Sequence, residues 1–234
     1  MVPPTNGPIG RRTPDDALAH SRARQRDLVR RGYDAVSHAY RSDLGESSRD
    51  GAETTATYAG WIGELVAPLP AGARVLDIGC GAGVPADRLL VDAGMDVTGV
   101  DISPVQIDRA RTLVPGATFV CADIVDLRLE PSTFDAIVSL YTLIHLPLDD
   151  QRSLLPRLFA ALRADGLLLA IVGHERWTGV EDYLGAPMFW DHADTETYLD
   201  WLRAEGFDVL WHRLIPEGDS AHTLVLARSP GASD

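Results

Sequence analysis

The chain contains no lysine; all 21 of its basic residues are arginine. A nicotinamide-dependent reductase is therefore disfavoured, because no lysine exists to complete a Tyr-x-x-x-Lys pair. Cysteine is almost as scarce. Cys80 and Cys121 supply neither a disulfide framework nor the spacing of a metal site, so no metal is expected. Both lie in apolar, strand-like stretches and read as small core residues. The longest apolar run, Leu167 to Val172, is far too short to span a bilayer, which takes about 20 residues. The first 13 residues hold an arginine pair but no apolar segment behind it, unlike a signal peptide. A soluble, cytoplasmic protein with no membrane partner is expected. No Gly-x-Ser-x-Gly occurs and neither cysteine sits in an activating context, so no dedicated nucleophile is indicated. Positive charge is short overall, with a net charge of −13. It is also unevenly spread, since residues 1–49 carry +3 and the remainder −16. An acidic body repels a phosphate backbone, which argues against a nucleic-acid partner.

What is present centres on Val75-Leu76-Asp77-Ile78-Gly79-Cys80-Gly81-Ala82-Gly83. An apolar run ends at an acid, three glycines alternate, and a helix-like segment follows. This reads as a buried strand, a tight turn that lets a ligand approach the backbone, and a helix start. The dinucleotide fingerprint would need a glycine where Val84 stands, so that reading fails by one residue. An acid two residues before the first glycine suits a ligand bearing an ammonium group better than a pyrophosphate.

The rest of the chain follows from this turn. Length fits one domain with a cap. Residues 1–14, rich in proline, read as a disordered tail; residues 15–67 read as a helical cap or lid; residues 68–230 read as the core. Within the cap, apolar residues recur at spacings of three and four from Leu18 to Val36, with Gly32 expected to break the helix in two. Tyr33 and Tyr40, seven apart, share one helical face. A polar linker over 41–53 and a helix over 54–67 lead to the first strand. The second strand ends at Asp101, 22 residues after Gly79, with Ser103-Pro104 capping the next helix. A carboxylate there can accept both hydroxyls of a ribose, with Gln106 one turn further on. A third strand closes on Asp123 and a fourth runs into Leu140, Tyr141 and His145. Residues 173–194 show no helical or alternating period yet contain Trp177, Trp190 and His192, and read as a substrate-facing loop. Two last strands, joined at Pro216-Glu217-Gly218-Asp219, end the chain.

Taken together, these segments resemble the class I S-adenosylmethionine-dependent methyltransferases of the small-molecule type, over roughly residues 30–228. The resemblance implies a Rossmann-like, doubly wound α/β fold: a seven-stranded mixed sheet in the order 3-2-1-4-5-7-6, strand 7 antiparallel, under an N-terminal helical lid. It implies that Asp77, Gly79, Cys80, Gly81 and Gly83 receive the amino-acid end of S-adenosylmethionine, with Tyr33 and Tyr40 at its carboxylate. Asp101, Ile102 and Gln106 would hold the ribose, Asp123 and Ile124 the adenine, and Leu140 and His145 would lie beneath the cofactor. Tyr40, Tyr141, Trp177, Trp190 and His192 would face the acceptor. A base matched to neutral pH would be a histidine, with His145 and His192 as candidates and Tyr141 nearby; Asp191 is placed to orient His192. No Asn/Asp-Pro-Pro-Tyr sequence is present, which removes a base-amine methyltransferase. The expected reaction moves a methyl group to O or N of a small metabolite, aromatic or apolar, in the manner of natural-product enzymes. The alternatives are a degenerate or non-catalytic cofactor-binding partner subunit and, further off, a reductase or a tRNA or protein methyltransferase. Monomer and homodimer stay equally open.

Overall fold

A computed structural model describes residues 14–44, 55–218 and 220–231. The tail expected over 1–14 lies outside the described residues except for Pro14, as does most of the linker, and Asp219 of the final turn.

The sheet is built from strands β1 Arg74–Ile78, β2 Asp96–Asp101, β3 Thr118–Cys121, β4 Phe134–Ser139 and β5 Leu162–Gly173, closed by β8 Asp208–Glu217 and β9 Ser220–Arg228. Their order is β3-β2-β1-β4-β5-β9-β8, with β9 antiparallel to both neighbours and β1 to β5 parallel. This is the order expected from the sequence, once the two strands inserted ahead of the last pair are set aside. Alternation along the strands sends side chains to two cores. Val75, Ala136, Val138, Leu167 and Leu169 face helices α2 Thr55–Val66 and α3 Ala86–Asp92, while Leu76, Ile137 and Leu168 face α5 Leu148–Ala161 and α6 Thr195–Ala204. Each such leucine, fully buried, contributes about 1.5–3 kcal/mol from burial alone. Helix α4 Pro104–Leu113 packs beside the glycine turn through Ile107, Ala110 and Phe119 of β3.

Three findings differ from the sequence expectation. Helix α1 runs unbroken from Pro14 to Tyr40, through Gly32. A Cβ at Gly32 would come within 2.7 Å of Met188 Cε and 3.2 Å of the Pro187 carbonyl. The glycine is thus a point of close packing, not a break, and the helix tolerates its lower propensity. The segment 173–194 is not a loop. It forms a hairpin of β6 Trp177–Tyr183 and β7 Ala186–His192. Almost every residue of β6 is exposed, so the inward–outward alternation that marks a strand in sequence never appears. Cys121 also departs from expectation: it is exposed, while Cys80 is buried.

Helix α1 and the hairpin make their own small core, from Val29, Val36, Tyr183, Met188 and Phe189, above the carboxyl ends of the parallel strands. Polar anchors fasten α1 to the body. Ser103 donates its hydroxyl to Asp34 (2.6 Å), and the Arg109 guanidinium donates to the carbonyls of Ser37 (2.7 Å) and Arg41 (2.9 Å) at the helix end. A cation at that end meets the negative pole of the helix.

Candidate active site

Strand β1 delivers the chain into the glycine turn at the sheet's carboxyl edge. Gly79, Gly81 and Gly83 have φ of +72°, +55° and +73°, a region that side chains other than glycine rarely enter. They serve different ends. A Cβ at Gly79 would lie 1.9 Å from Thr142 Oγ1, so the turn is crossed by a neighbouring side chain. A Cβ at Gly83 would press on Phe119 and Val114 at 3.1 Å, a packing role away from any cavity. At Gly81 nothing lies within 4 Å, and the backbone there faces open space.

That space is a cavity at the carboxyl edge of the sheet, partly open to solvent. Helix α1 contributes Tyr33 and Tyr40 to its wall, the end of β2 gives Asp101, Ile102 and Gln106, and the end of β3 gives Asp123 and Ile124. Leu140, Tyr141 and His145 follow β4 into it. A smaller recess shares Tyr40, Gly79, Gly81 and Leu140 with this cavity and adds Asp77, Cys80, Arg41 and Tyr58. The sequence-derived cofactor residues thus surround two adjoining spaces, with Gly83 behind them.

The carboxylates differ in state. Asp101 accepts from the backbone N–H of Gly81 (2.9 Å) and of Ser103 (2.8 Å), and burial raises its pKa to about 6 in spite of both bonds. Burial raises Asp77 to about 7, and its hydrogen-bonded neighbour Asp87 stands well above the usual carboxylate range. The pair shares a proton near neutral pH because two buried like charges cannot both form cheaply. Asp77 Oδ1 is buried with no hydrogen-bond partner among the described residues. Asp123 is already engaged: it accepts from Arg26 Nε at 2.6 Å, and the same guanidinium also donates to Asp150.

His145 is held at both nitrogens. Its Nδ1 lies 2.8 Å from the Phe189 carbonyl, which can only accept, so Nδ1 carries the proton and Nε2 accepts from the Tyr33 hydroxyl at 2.9 Å. Burial lowers its pKa to about 4. A neutral ring with both nitrogens occupied orients Tyr33 and Trp190, whose indole lies 4.1 Å away centre to centre. It is poorly placed to take a proton.

The substrate-facing residues divide. Tyr40 and Tyr141 line the first cavity, whereas Trp177, Trp190 and His192 line a separate one on the hairpin side. Tyr141 links the two, its ring edge meeting His222 at 5.4 Å. Asp191 does not orient His192. Its carboxylate accepts from Leu148 N–H (3.0 Å) and from Arg176 (3.0 Å), and His192 Nδ1 instead meets the Glu175 carbonyl at 2.6 Å. Of the remaining histidines, His38 is exposed beside Asp43 and His174 sits against Thr195.

Sequence reasoning passed over Arg26, Arg41, Thr142, Glu217 and His222. Arg26 carried a signal, since Arg26, Tyr33 and Tyr40 recur every seven residues on one helical face. Arg41 donates to the Tyr58 hydroxyl (3.1 Å) and lies over its ring. The others reach the site only through tertiary contacts.

Comparison with known proteins agrees with this geometry. Residues 75–166 match a family described as a methyltransferase domain. A 2-methyl-6-phytyl-1,4-hydroquinone methyltransferase of Synechocystis sp. is 32% identical over 135 residues, 56% of this chain and 41% of that protein. A 27-O-demethylrifamycin SV methyltransferase of Amycolatopsis mediterranei is 40% identical over 86 residues, 34% of this chain and 32% of that protein. The chain spans under half the length of these curated relatives. Among solved structures, the [4+2]-cyclase SpnF superposes with a TM-score of 0.68 at 21% identity, over 87% of this chain and 96% of that one. This likeness makes S-adenosylmethionine, the molecule held by a similar solved structure, the group to test against the site. The residues present fit that group. The Oδ1 of Asp77, buried without a partner among the described residues, suits an ammonium, Arg41 a carboxylate, and Asp101 a pair of hydroxyls beside a glycine with open space before it.

Proposed function

We propose that this chain is an S-adenosylmethionine-dependent methyltransferase that methylates O or N of a small metabolite, aromatic or apolar, of the natural-product kind. The observation that carries the reading is the sorting of charge around the glycine turn. Asp77 and Arg41 stand in the recess on one side and Asp101 with Gln106 on the other, with Gly79 and Gly81 shared between them. A ligand with an amino-acid end and a ribose end matches that order. The two similar methyltransferases support it, as both are named for small acceptors.

The bound cofactor would supply an electrophilic methyl group on a sulfonium. The chain's own work is then to orient, to exclude water and to receive a proton. Asp77 would hold the ammonium and Arg41 the carboxylate. Asp101 would accept from the ribose hydroxyls. Asp123 would accept from the adenine amino group only while sharing its second oxygen pair with Arg26. Tyr33, fixed by His145, and Tyr40 would cover the site from α1 and keep it dry.

A second reading, a cofactor-binding protein without methyl transfer, keeps its place because a similar solved fold is described as a cyclase. Calorimetric titration with S-adenosylmethionine, S-adenosylhomocysteine and NADPH separates the readings at the cofactor level. Micromolar binding of the first two and none of the third is expected; binding of NADPH alone would overturn the assignment. Methyl transfer from labelled S-adenosylmethionine to a metabolite panel then decides between enzyme and binding subunit.

A further inference from the structure

Behind Tyr141 lies the hairpin-side cavity, and its inner wall holds a pair of groups with no role so far. His222, on β9, is buried, and its Nδ1 lies 3.1 Å from Oε1 of Glu217 at the end of β8. The side chains are only 11% and 8% exposed. A carboxylate accepts, so Nδ1 carries the proton and Nε2 keeps the lone pair. This is the geometry of an imidazole oriented by an acid and prepared to take a proton.

The backbone explains why the pair sits there. His222 registers opposite Gly173, the last residue of β5. A Cβ at Gly173 would lie 2.3 Å from His192 Nδ1, so the absent side chain lets His192 close in beside His222, ring centres 6.1 Å apart. Trp177 and Trp190 supply flat apolar walls to the same cavity. Trp190 Nε1 is buried without a hydrogen-bond partner among the described residues, so it has a donor to offer. Tyr141 touches both His222 and the cofactor cavity, which places the pair one ring away from the cofactor's side of the wall.

We infer that this cavity receives a planar aromatic hydroxyl compound of the phenol type, and that His222, backed by Glu217, is the base for its hydroxyl. The inference rests on the function proposed above and names its acceptor class. The acceptor's O–H bond breaks as Nε2 of His222 takes the proton. The oxygen forms its bond to the methyl carbon, and the electron pair of the carbon–sulfur bond stays on sulfur. Glu217 balances the imidazolium and is a positioning residue; His222 touches the acceptor and is catalytic. The other charged or titratable groups facing His222 are His192 from β7, Tyr141 after β4, and His174, Glu175, Arg176 and Glu181 around the cavity.

The test uses the full chain, S-adenosylmethionine and two probes. 4-Nitrophenol is a far stronger acid than 4-methylphenol and can be supplied as its anion just above neutral pH, whereas 4-methylphenol ionises near about 10, as tyrosine does. For His222→Gln, transfer to 4-methylphenol is expected to fall about 100-fold or more and transfer to 4-nitrophenol far less, since only the former needs its proton removed. Affinity for S-adenosylhomocysteine should be unchanged, which also shows that the variant folds; His222→Asn is the second variant should it not. Independently of activity, long-range ¹H–¹⁵N spectra should show His222 as the Nδ1–H tautomer in the native chain and as a mixture in Glu217→Gln. Equal losses with both phenols, or an Nε2–H tautomer in the native chain, would overturn the assignment of the base. Binding of S-adenosylhomocysteine with no methylation of either phenol would overturn the acceptor class. Absence of that binding would instead overturn the function on which it rests.

Discussion

Arg26 Nε reaches Oδ2 of Asp123 at 2.6 Å across 97 residues of sequence, and through Nη1 the same guanidinium holds Asp150. All three side chains are less than one-fifth exposed. Removing the cation leaves two carboxylates with little water to replace it. Arg26→Ala should therefore cost about 3 kcal/mol, in the range for breaking a buried ion pair. Arg26→Lys should recover only part, because a point charge cannot bond both acids as a fork does. Urea unfolding of the three chains checks this; equal midpoints would show the pair to be idle.

The Asp77–Asp87 pair sets a pH dependence of stability. The folded chain keeps a proton on it up to about pH 7, whereas an unfolded aspartate releases its proton near about 4. The contribution is fully present below about pH 4 and is lost as pH rises toward about 7, at about 1.4 kcal/mol per pH unit for one proton. Asp87→Asn removes one of the two interacting charges and should flatten the fall. The melting temperature from pH 4 to 8 reads it directly, and identical slopes in both chains would contradict the shared proton.

Asp101 should matter for ligand, not for packing. Its pKa near 6 means that the ionised, hydrogen-bond-accepting form is lost as pH falls below that value. Affinity for S-adenosylhomocysteine should drop as pH falls from 8 to 5. Asp101→Ala should weaken it by about 10- to 100-fold at pH 8, each lost charged hydrogen bond being worth about 1.5–3 kcal/mol. Cys121→Ala, at an exposed position, should leave it alone. Similar losses in both variants by calorimetry would undo the site assignment.

Gly173→Ala should be costly in a way that helix or strand propensity does not foresee. The new methyl would meet not only His192 but the Ala193 carbonyl at 2.5 Å, a backbone atom that cannot swing aside. A loss of about 1–3 kcal/mol is expected from such overpacking. Displacement of His192 should appear as altered histidine resonances; a native-like spectrum would rule out the contact.

Legibility from sequence followed the range of the interactions. The glycine turn, Asp101 and Asp123 were readable because each ends a short apolar strand and local spacing fixes it. The terminal strand pair was readable from its turn residues. The hairpin β6–β7 was not, because β6, exposed along nearly its whole length, loses its alternation. Gly32 was misread as a break since its reason, contact with Met188, lies 156 residues away in sequence. The same distance problem hid Arg26 from Asp123 and kept His222 from view, as its partners Glu217 and Tyr141 meet it only after the sheet has formed.

Helix α1 is held across the cavity by Arg26 toward one end and by Arg109 at the other, and its tyrosines form the roof. Both guanidinium groups are largely buried, where dissolved salt screens charge weakly. The roof is therefore fastened by contacts that should keep their strength over a wide range of ionic strength.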